Sequence, residues 1–455
     1  MVQNDRDTIV AETTPRGRGG VGIVRVSGSK TAEIAEKILG GVPAVRKAEH
    51  LPFLAANQEV IDEGVALYFK APHSFTGEDV LELQGHGGPV IMDSLIAAAV
   101  QAGARLAEPG EFSLRAYLNH KIDLCQAEAI ADLINATSEA AARGALRSLQ
   151  GVFSNEIDAL VQEVITLRMY VEAAIDFPEE EIDFLKDDRI IQMLQNIKIK
   201  LEKIRTGAKQ GRLLSEGIRV AIIGRPNAGK SSLLNYLAGH EAAIVTDVPG
   251  TTRDVLREKI CLDGLCIDLV DTAGLRMGAE AIEREGIRRA LKEAAIADHL
   301  VMMVDGMTTT ETDPDILFSE WLAHFKTDIG RTVLFNKIDK LNLLPSVVEK
   351  ENHTVISLSV KTGEGISLFR EHLKKVVGFS VAEEGNFTAR RRHLEALAKA
   401  EHHLLAGENQ LVQHKAGELL AEELREVQKA LDQITGKFSS DDLLGKIFSE
   451  FCIGK

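Results

Sequence analysis

One stretch of eight residues constrains this chain more than any other: residues 224–231 read GRPNAGKS. An apolar run at 220–223 precedes it, and a run of helical character follows at 232–237. A strand, a glycine-bounded loop, Lys-Ser and a helix form a phosphate cradle, because glycines let backbone N–H groups face the oxygens. Lys230 can then reach the β- and γ-phosphates, and Ser231 can ligate Mg²⁺. The nucleotide contacts predicted here are Asn227, Ala228, Gly229, Lys230, Ser231 and Ser232.

Three shorter motifs follow the phosphate loop, each directly after an apolar run. Residues 271–274 read DTAG, in which Asp271 can act on Mg²⁺ through its ligand shell. Residues 336–339 read NKID, and the Asp339 carboxylate can accept from guanine, whereas adenine offers no matching pair of donors. Together with the Ser-Val-Lys sequence at 359–361, which resembles the usual Ser-Ala-Lys loop, they predict a GTPase. The further contacts predicted are Asp271, Thr272, Ala273, Gly274, Asn336, Lys337, Asp339, Ser359, Val360 and Lys361.

The composition is that of a large acidic chain. Its 455 residues exceed what one hydrophobic core usually serves, so two or three domains are expected. The net charge of -15 argues against a broad nucleic-acid-binding surface, but it does not exclude a local basic patch. No run approaches the ~20 apolar residues of a membrane span, and the four cysteines do not form a disulfide framework. We predict a reduced, cytoplasmic protein without a membrane partner.

The pattern along the chain predicts a multidomain α/β plus α fold. Residues 1–120 alternate strand-like and helix-like runs, 121–216 are helical, 217–378 alternate again, and 379–455 return to helix. This order predicts an N-terminal α/β domain, a discontinuous helical domain in two halves, and a Ras-like P-loop GTPase domain inserted between them. Residues 17–22 also match the dinucleotide fingerprint GxGxxG, but a strand-like run follows in place of a helix, so we reject that site.

Two residues in the GTPase segment, Glu283 and Asn227, each have two possible interpretations. Leu275 stands where many small GTPases carry the glutamine that orients the attacking water, so another group must hold that water. Glu280, Glu283 and Glu285 are near in sequence. Arginines four residues further along can pair with the first and third of them on a helix surface. Glu283 has no such arginine, so it is either an ordinary surface residue or the group that orients the water. Asn227 is either a turn residue or a ligand for a monovalent cation beside the phosphates.

Several further runs carry a resemblance to one family. They are PRGRGGVGI at 15–23, FTGEDV at 75–80, LNHKIDL at 118–124, GTTRD at 250–254 and CIGK at 452–455. From end to end the chain resembles the bacterial tRNA-modifying GTPases known as MnmE or TrmE. The resemblance implies that the N-terminal domain dimerises and binds 5-formyltetrahydrofolate or a related tetrahydrofolate.

The resemblance also implies an activity and partners. A homodimer would hydrolyse GTP with stimulation by K⁺, and would work with a flavin- and NADH-dependent partner, MnmG or GidA. Together they would add an aminomethyl or carboxymethylaminomethyl group to C5 of the wobble uridine of tRNA, with a tetrahydrofolate as one-carbon donor.

Individual residues receive roles from the same resemblance. Mg²⁺ would be held by Ser231 and Thr252, and Glu283 would orient the hydrolytic water. The implied K⁺ ligands, which include the predicted GTP contacts Thr246 and Thr251, are Asn227, Thr246, Val248 and Thr251. The implied folate contacts are Arg25, Glu82, Lys121 and Lys455. Cys452 matches the family's C-terminal cysteine and is a candidate for the chemistry.

A second class of function shares the same GTPase motifs. A GTP-controlled RNA or ribosome assembly factor would bind and hydrolyse GTP without modification chemistry of its own. Such a factor is expected to carry a basic RNA-binding module, whereas this chain is acidic and contains the folate-type runs. The sequence leaves open which tRNAs are modified, which amine is used, how hydrolysis couples to the uridine chemistry and where the partner docks.

Overall fold

The chain divides into two compact units. The first unit comprises segments 1–131, 149–198 and 396–455, and the second comprises 132–148 and 199–395. The computed structural model describes residues 7–176, 188–240, 257–262, 265–271, 297–322, 329–376, 387–414, 416–437, 441–449, 451–452 and 454. The predicted domain ends at residues 120, 216 and 378 stay a prediction.

The first unit contains a six-stranded sheet with the strand order β3-β4-β5-β2-β1-β6. Pairing is antiparallel throughout, except between β1 and β6. The strands are β1 (Ile9–Glu12), β2 (Gly19–Ser27), β3 (Glu49–Leu54), β4 (Val60–Phe69), β5 (Val80–Gly87) and β6 (Arg105–Leu106).

Two helices, α1 (Thr31–Leu39) and α2 (Pro89–Ala102), cover one face of this sheet. Ile34 of α1 and Met92 of α2 form one buried core with Leu83 of β5. Burying a side chain of this size stabilises a fold by ~1.5–3 kcal/mol. The helices therefore cover the face of the sheet that carries these apolar side chains.

Helices continue the chain after the sheet. They are α3 (Glu111–Leu118), α4 (Leu124–Ile134), α5 (Glu139–Leu149), α6 (Val152–Asp176) and α7 (Asp188–Ser215).

The second unit contains a seven-stranded sheet with the order β12-β13-β11-β10-β7-β9-β8. The five inner strands are parallel, and the edge strands β8 and β12 run antiparallel to their neighbours. Parallel strands bring their carboxyl ends to one edge of the sheet, where ligands commonly bind. The strands are β7 (Ile218–Gly224), β8 (Arg257–Leu262), β9 (Leu265–Asp271), β10 (His299–Asp305), β11 (Gly330–Asn336), β12 (Ser346–Glu349) and β13 (Thr354–Leu358).

Side chains cover both faces of this second sheet. Ile222 of β7 packs in one core with Leu233 and Leu373, whereas its neighbour Ile223 belongs to another core with Phe318. Burial on both faces explains why strand β7 is a nearly continuous apolar run in the sequence. Between β7 and residue 376, the helices within the described ranges are α8 (Lys230–His240), α9 (Pro314–Leu317), α10 (Ser319–Leu322), a 3₁₀ turn (Ile338–Lys340) and α11 (Ile366–Val376).

Among the described residues after 387, three helices follow. They are α12 (Arg391–His414), α13 (Gly417–Thr435) and α14 (Asp441–Ser449). Within the first unit α13 packs against α6, although more than 200 residues separate them, and Arg168 Nη1 donates to Gln428 Oε1 over 2.7 Å. No helix within the described ranges has the length and apolar character needed to cross a membrane.

A buried polar chain links the second sheet to α11. His299 Nε2 lies 2.7 Å from Thr332 Oγ1, and the same hydroxyl lies 2.8 Å from His372 Nε2. Burial, with a smaller effect of His372, lowers the pKa of His299 to about 4. Burial also lowers the pKa of His372, so both rings are neutral at pH 7.

This chain makes the second unit sensitive to acid. A histidine in the unfolded chain has a pKa near 6.5, whereas that of folded His299 is about 4. Between these two pH values the unfolded chain therefore binds a proton that the folded chain does not bind. Stability is therefore complete above pH 6.5 and falls as the pH falls. We expect His299 to cost about 2 kcal/mol of unfolding free energy between pH 7 and pH 5.

Urea unfolding followed by the fluorescence of Trp321, the single tryptophan, which belongs to the second unit, measures this loss. His299→Gln removes the titrating group and should flatten the pH dependence. An equal slope in the wild type and the variant would contradict the assignment.

Candidate functional site

A cleft of about 610 Å³ lies at the carboxyl edge of the seven-stranded sheet. Strands β7, β11 and β13 end there, and the loops that follow them supply its walls. The residues that line it are Gly224, Pro226, Asn227, Gly229, Lys230, Ser231, Ser232, Asn336, Lys337, Asp339, Lys340, Ser359, Val360 and Lys361. The phosphate loop and the two loops predicted to surround the base therefore share one cleft.

The phosphate loop turns through two left-handed backbone positions, Asn227 at φ 62° and Gly229 at φ 109°. The Lys230 side chain is 8% exposed and folds back over the loop. Its Nζ donates to the carbonyl oxygens of Gly224 at 2.6 Å and Arg225 at 3.1 Å. The ammonium group is thus held inside the loop, beside the first turn of α8, whose N-terminal dipole also favours anions.

The Asn336 amide connects the phosphate loop to the base loops. Its Nδ2 donates to Ala228 O at 2.8 Å, and its Oδ1 accepts from Val360 N–H at 3.1 Å. A Cβ atom at Gly229 would collide with the Asn336 amide nitrogen, so glycine is required there for a steric reason as well as for its φ. Ala228, which does not line the cleft, contributes through this bond.

The base loops are ordered by charged and hydroxyl groups. Lys337 is left-handed at φ 72°, and its Nζ lies 2.5 Å from Asp305 Oδ2 at the end of β10. Burial works to raise the pKa of Asp305, but hydrogen bonds from Lys337 and the Met307 N–H hold that pKa below its usual value. Ser359 Oγ donates to Asp339 Oδ1 at 2.7 Å, which fixes the carboxylate expected to recognise guanine.

Sequence reasoning missed two residues: Asp305, which does not line the cleft but pairs with Lys337, and Lys340, which lines it. Asp305 is part of no motif; its only signal in the sequence was a single acid directly after the apolar run 300–304. In the structure it lies opposite Asn336 in the parallel pairing of β10 and β11. Lys340 lines the cleft one residue beyond the NKID motif. With Lys230, Lys337 and Lys361 it gives the cleft four lysines, a charge suited to a phosphorylated ligand.

Other predicted residues lie outside the described part of the chain. For Asp271, the last residue of β9, the backbone is described and the side chain is not. The roles predicted for Asp271 and for the residues outside the described ranges stay predictions. The residues outside those ranges are Thr246, Val248, Thr251, Thr252, Thr272, Ala273, Gly274, Glu283 and Lys455.

The first unit brings two predicted folate contacts together. Arg25 on β2 and Glu82 on β5 are paired in register, and Arg25 Nη2 lies 2.8 Å from Glu82 Oε1. The Arg25 guanidinium carbon lies 5.7 Å from the ring centres of both Phe75 and Phe112, within the range of cation–π attraction. Lys121 Nζ instead donates to Pro72 O at 2.9 Å.

Hydrogen bonds hold the loop that carries Phe75. Ser27 Oγ donates to Glu78 Oε2 at 2.7 Å, and Arg115 Nη1 reaches both Glu78 oxygens at 3.0 and 3.1 Å. Asn119 Nδ2 donates to Thr76 O at 2.7 Å. The FTGED and LNHK runs of the sequence therefore contact one another in the folded unit. The sequence alone did not reveal this contact.

The described residues of the C-terminal tail pack within the first unit. Gly110 N–H donates to Cys452 O at 3.3 Å, and a Cβ at buried Gly454 would collide with the carbonyl oxygen of Glu12. The Cys452 side chain is exposed, whereas Cys125 is buried. The tail is thus fixed by its backbone while the Cys452 thiol remains accessible.

The Asp305–Lys337 pair yields a test of the cleft. Asp305→Asn removes a charge-assisted hydrogen bond worth ~1.5–3 kcal/mol, and we expect roughly tenfold weaker GDP binding because Lys337 loses its fixed position. Asp315→Asn is the control, since its carboxylate is exposed and pairs with Arg331. Calorimetric titration measures both; unchanged GDP affinity in Asp305→Asn would show that the pair does not shape the site.

Two protein families match the chain. The family described as GTP-binding protein TrmE N-terminus matches residues 8–121, and the MnmE helical domain matches residues 124–452. Curated proteins with the description tRNA modification GTPase MnmE are similar over nearly the full length. The protein of Erwinia tasmaniensis is 57% identical over 453 residues, covering 99% of this chain and 100% of that protein. The protein of Pseudoalteromonas translucida is 56% identical over 452 residues, with the same coverage.

Solved structures give a weaker similarity. A GTP-binding protein from Sulfolobus solfataricus in complex with GDP shares 16% identity, covering 64% of this chain and 78% of that one, with a TM-score of 0.27. A score this low carries no argument.

The sequence-level identification is confirmed by the relatives and the matched families. The predicted fold class, an α/β N-terminal part, a helical part and a P-loop GTPase part, is confirmed as well, and so is GTP hydrolase activity. The chain therefore belongs to the MnmE (TrmE) family of tRNA modification GTPases.

Proposed function

We propose that this chain couples K⁺-stimulated GTP hydrolysis to modification of C5 of the wobble uridine in tRNA. The group added is aminomethyl or carboxymethylaminomethyl, and its carbon comes from a tetrahydrofolate. Family membership supports the tRNA half of the proposal. The observation that carries the folate half is the Arg25–Glu82 ion pair, whose guanidinium also contacts two aromatic rings. An assembly factor without modification chemistry would not need this arrangement.

The cleft residues divide the work of binding GTP. Lys230 and the backbone of the phosphate loop hold the phosphates, and Asp339, fixed by Ser359, accepts from the guanine edge. Ser231 fits a Mg²⁺ site because its hydroxyl lines the cleft at the first turn of α8, with Thr252 as the second protein ligand. Mg²⁺, when bound, neutralises charge that develops on the phosphate oxygens.

A monovalent cation fits beside the phosphate loop. Asn227 lines the cleft in the left-handed conformation, and amide and backbone oxygens are the hard ligands that K⁺ takes. Thr246, Val248 and Thr251 would complete the site. K⁺ would supply the positive charge that an arginine provides in other GTPases, and Glu283 would orient the attacking water.

The tetrahydrofolate site lies on the polar face of the N-terminal sheet. Glu82 offers acceptor oxygens, Arg25 offers donors in a plane, and Phe75 is a flat apolar surface beside them. This donor and acceptor set fits a pterin ring, which combines a planar π system with N–H donors and acceptors. Lys121 and Lys455 would approach the same molecule, and Cys452 would take part in the chemistry.

The assembly we propose is a homodimer formed through the N-terminal domain. It works in the cytoplasm with the flavin- and NADH-dependent partner MnmG (GidA), which would supply redox chemistry. tRNA is the substrate on which both act.

Potassium dependence tests the nucleotide half. We expect GTP hydrolysis to be roughly tenfold or more faster in KCl than in NaCl, because the cation stabilises transition-state charge. Asn227→Ala should bring the rate in KCl down to that in NaCl. Asn235→Ala, an exposed asparagine on α8, is the control and should retain the difference. Equal wild-type rates in both salts would remove the role of Asn227.

Folate binding tests the other half. Arg25→Met keeps the length of the side chain and removes the guanidinium, so 5-formyltetrahydrofolate should bind at least tenfold more weakly by calorimetry. Arg16→Met is the control, because the Arg16–Asp93 pair is exposed. No binding by the wild type would reject the folate site, and nucleoside analysis of tRNA from cells lacking the protein tests the modification directly.

A further inference from the structure

The sequence GHGG at residues 85–88 belongs to neither proposed site, yet a specific pair forms there. Asp62 of β4 contacts His86 twice: its Oδ2 accepts from the His86 backbone N–H at 2.7 Å, and its Oδ1 lies 2.8 Å from His86 Nδ1. The backbone contact alone would tie the two strands together, whichever residue stood at 86. The contact with the imidazole ring is a second interaction, which depends on the side chain at position 86.

Glycines make this contact possible. A Cβ at Gly85 would lie 2.5 Å from Asp62 Oδ2, and a Cβ at Gly87 would lie 2.7 Å from the Val21 carbonyl oxygen. Glycine inside a strand costs ~0.5–1 kcal/mol relative to alanine, so β5 loses stability on both sides of His86. These two glycines therefore lower the stability of β5, but they leave space for the Asp62 carboxylate and for the backbone of Val21.

The pair has a defined hydrogen-bond donor and acceptor. The Asp62 side chain is 9% exposed; burial works to raise its pKa, but hydrogen bonds from His86 and the Glu63 N–H hold that pKa below the usual value. An ionised carboxylate can only accept, so Nδ1 is the His86 ring nitrogen that donates to Asp62, and in the neutral ring the lone pair is on Nε2. The His86 side chain is 74% exposed, so the ring adds little packing and Nε2 is available to solutes.

His86 shares a sheet face with the proposed folate contacts. Alternation along β5 places Glu82, Gln84 and His86 on one face, whereas Leu81 and Leu83 point into the core beneath the helices. Four residues of strand separate His86 from Glu82, about 13 Å at ~3.3 Å per residue. A molecule bound at Arg25 and Glu82 can extend along the strand towards the imidazole.

The neighbouring strand leaves this approach open. The pairing of β2 with β5 shifts between Gly19 and Gly22, and a bulge of this kind often re-aims groups beside active sites. A Cβ at Gly20, inside the bulge, would meet no atom within 4 Å. Besides Asp62, the charged residues of the adjoining strands β2 and β4 are Arg25 and Glu63. Arg18 precedes β2, and Asp93 of α2 is paired with Arg16.

We propose that His86 accepts the proton of the amine that enters the one-carbon step, and that Asp62 is a positioning residue that acts through it. The inference rests on the proposed function, in which an aminomethyl group needs a nitrogen nucleophile. An amine is mostly an ammonium ion at neutral pH, with no electron pair for attack on carbon. One proton passes from the ammonium nitrogen to His86 Nε2, the amine keeps the bonding electron pair, and Asp62 stabilises the imidazolium.

The test uses the full chain with its flavin-dependent partner, NADH, GTP, Mg²⁺, KCl, tRNA, ammonium chloride and 5,10-methylenetetrahydrofolate, whose carbon is already at the methylene oxidation level. The initial rate of aminomethyluridine formation is measured by nucleoside analysis from pH 6.5 to 9. General-base catalysis contributes ~10²–10⁴-fold, so His86→Gln should lose at least about 100-fold at pH 7. The deficit should shrink as the pH rises, because the amine then loses its proton to water. Asp62→Asn should lose less and shift the pH profile.

Controls separate this role from folding and binding. His50→Gln changes another exposed histidine of the same sheet and should leave the rate unchanged. GTP hydrolysis and folate affinity should stay at wild-type values in every variant. In ¹⁵N-histidine spectra His86 should show the Nδ1–H tautomer, and Asp62→Asn should lose it.

Three results would overturn the inference. They are a wild-type rate in His86→Gln, a deficit in that variant that is the same at every pH, and an Nε2–H tautomer in the wild type. A wild-type protein that makes no aminomethyluridine would reject the proposed function and this inference together, so the two failures are distinguishable.

Discussion

The geometry of the nucleotide cleft depends on one side-chain amide. Asn336 uses its nitrogen on the phosphate loop and its oxygen on the loop after β13, and it is almost completely buried between them. Both of its polar ends are satisfied, and removing either partner would leave a buried group without a hydrogen bond. Because Gly229 must also leave room for this amide, the conformation of the phosphate loop and the position of the base loop are set together.

The parts of the structure that local sequence determines were predictable. A phosphate loop is contiguous, and its strand, glycines and helix are all required by one stretch of backbone, so residues 224–231 indicated both the fold of the second unit and its ligand class. Asp305 was not predictable in the same way, because its role comes from a partner on the adjacent strand. Phe112 was not predictable for a similar reason: it lies on α3, 87 residues from Arg25 in sequence, and contacts it only in the folded unit.

In the first unit, resemblance identified residues whose physical roles differ from one another. Arg25 and Glu82 present polar groups on the sheet, whereas Glu78, in the FTGED run, uses its carboxylate to hold a loop against Ser27 and Arg115. A family motif thus marks positions that matter without saying whether they bind a ligand or shape the binding surface. Only the hydrogen-bond partners separate these two roles, and the partners are distant in sequence.

The buried chain through Thr332 has a further consequence, because a hydroxyl has only one hydrogen to give. His299 Nδ1 is buried without a hydrogen-bond partner among the described residues, so its ring hydrogen belongs on Nε2, which donates to Thr332. Thr332 must then donate to His372 Nε2, and the hydrogen of His372 lies on Nδ1. The three groups form a polarised relay with one direction, from the sheet to α11, and reversing it would bury an N–H of His299 with nothing to accept it.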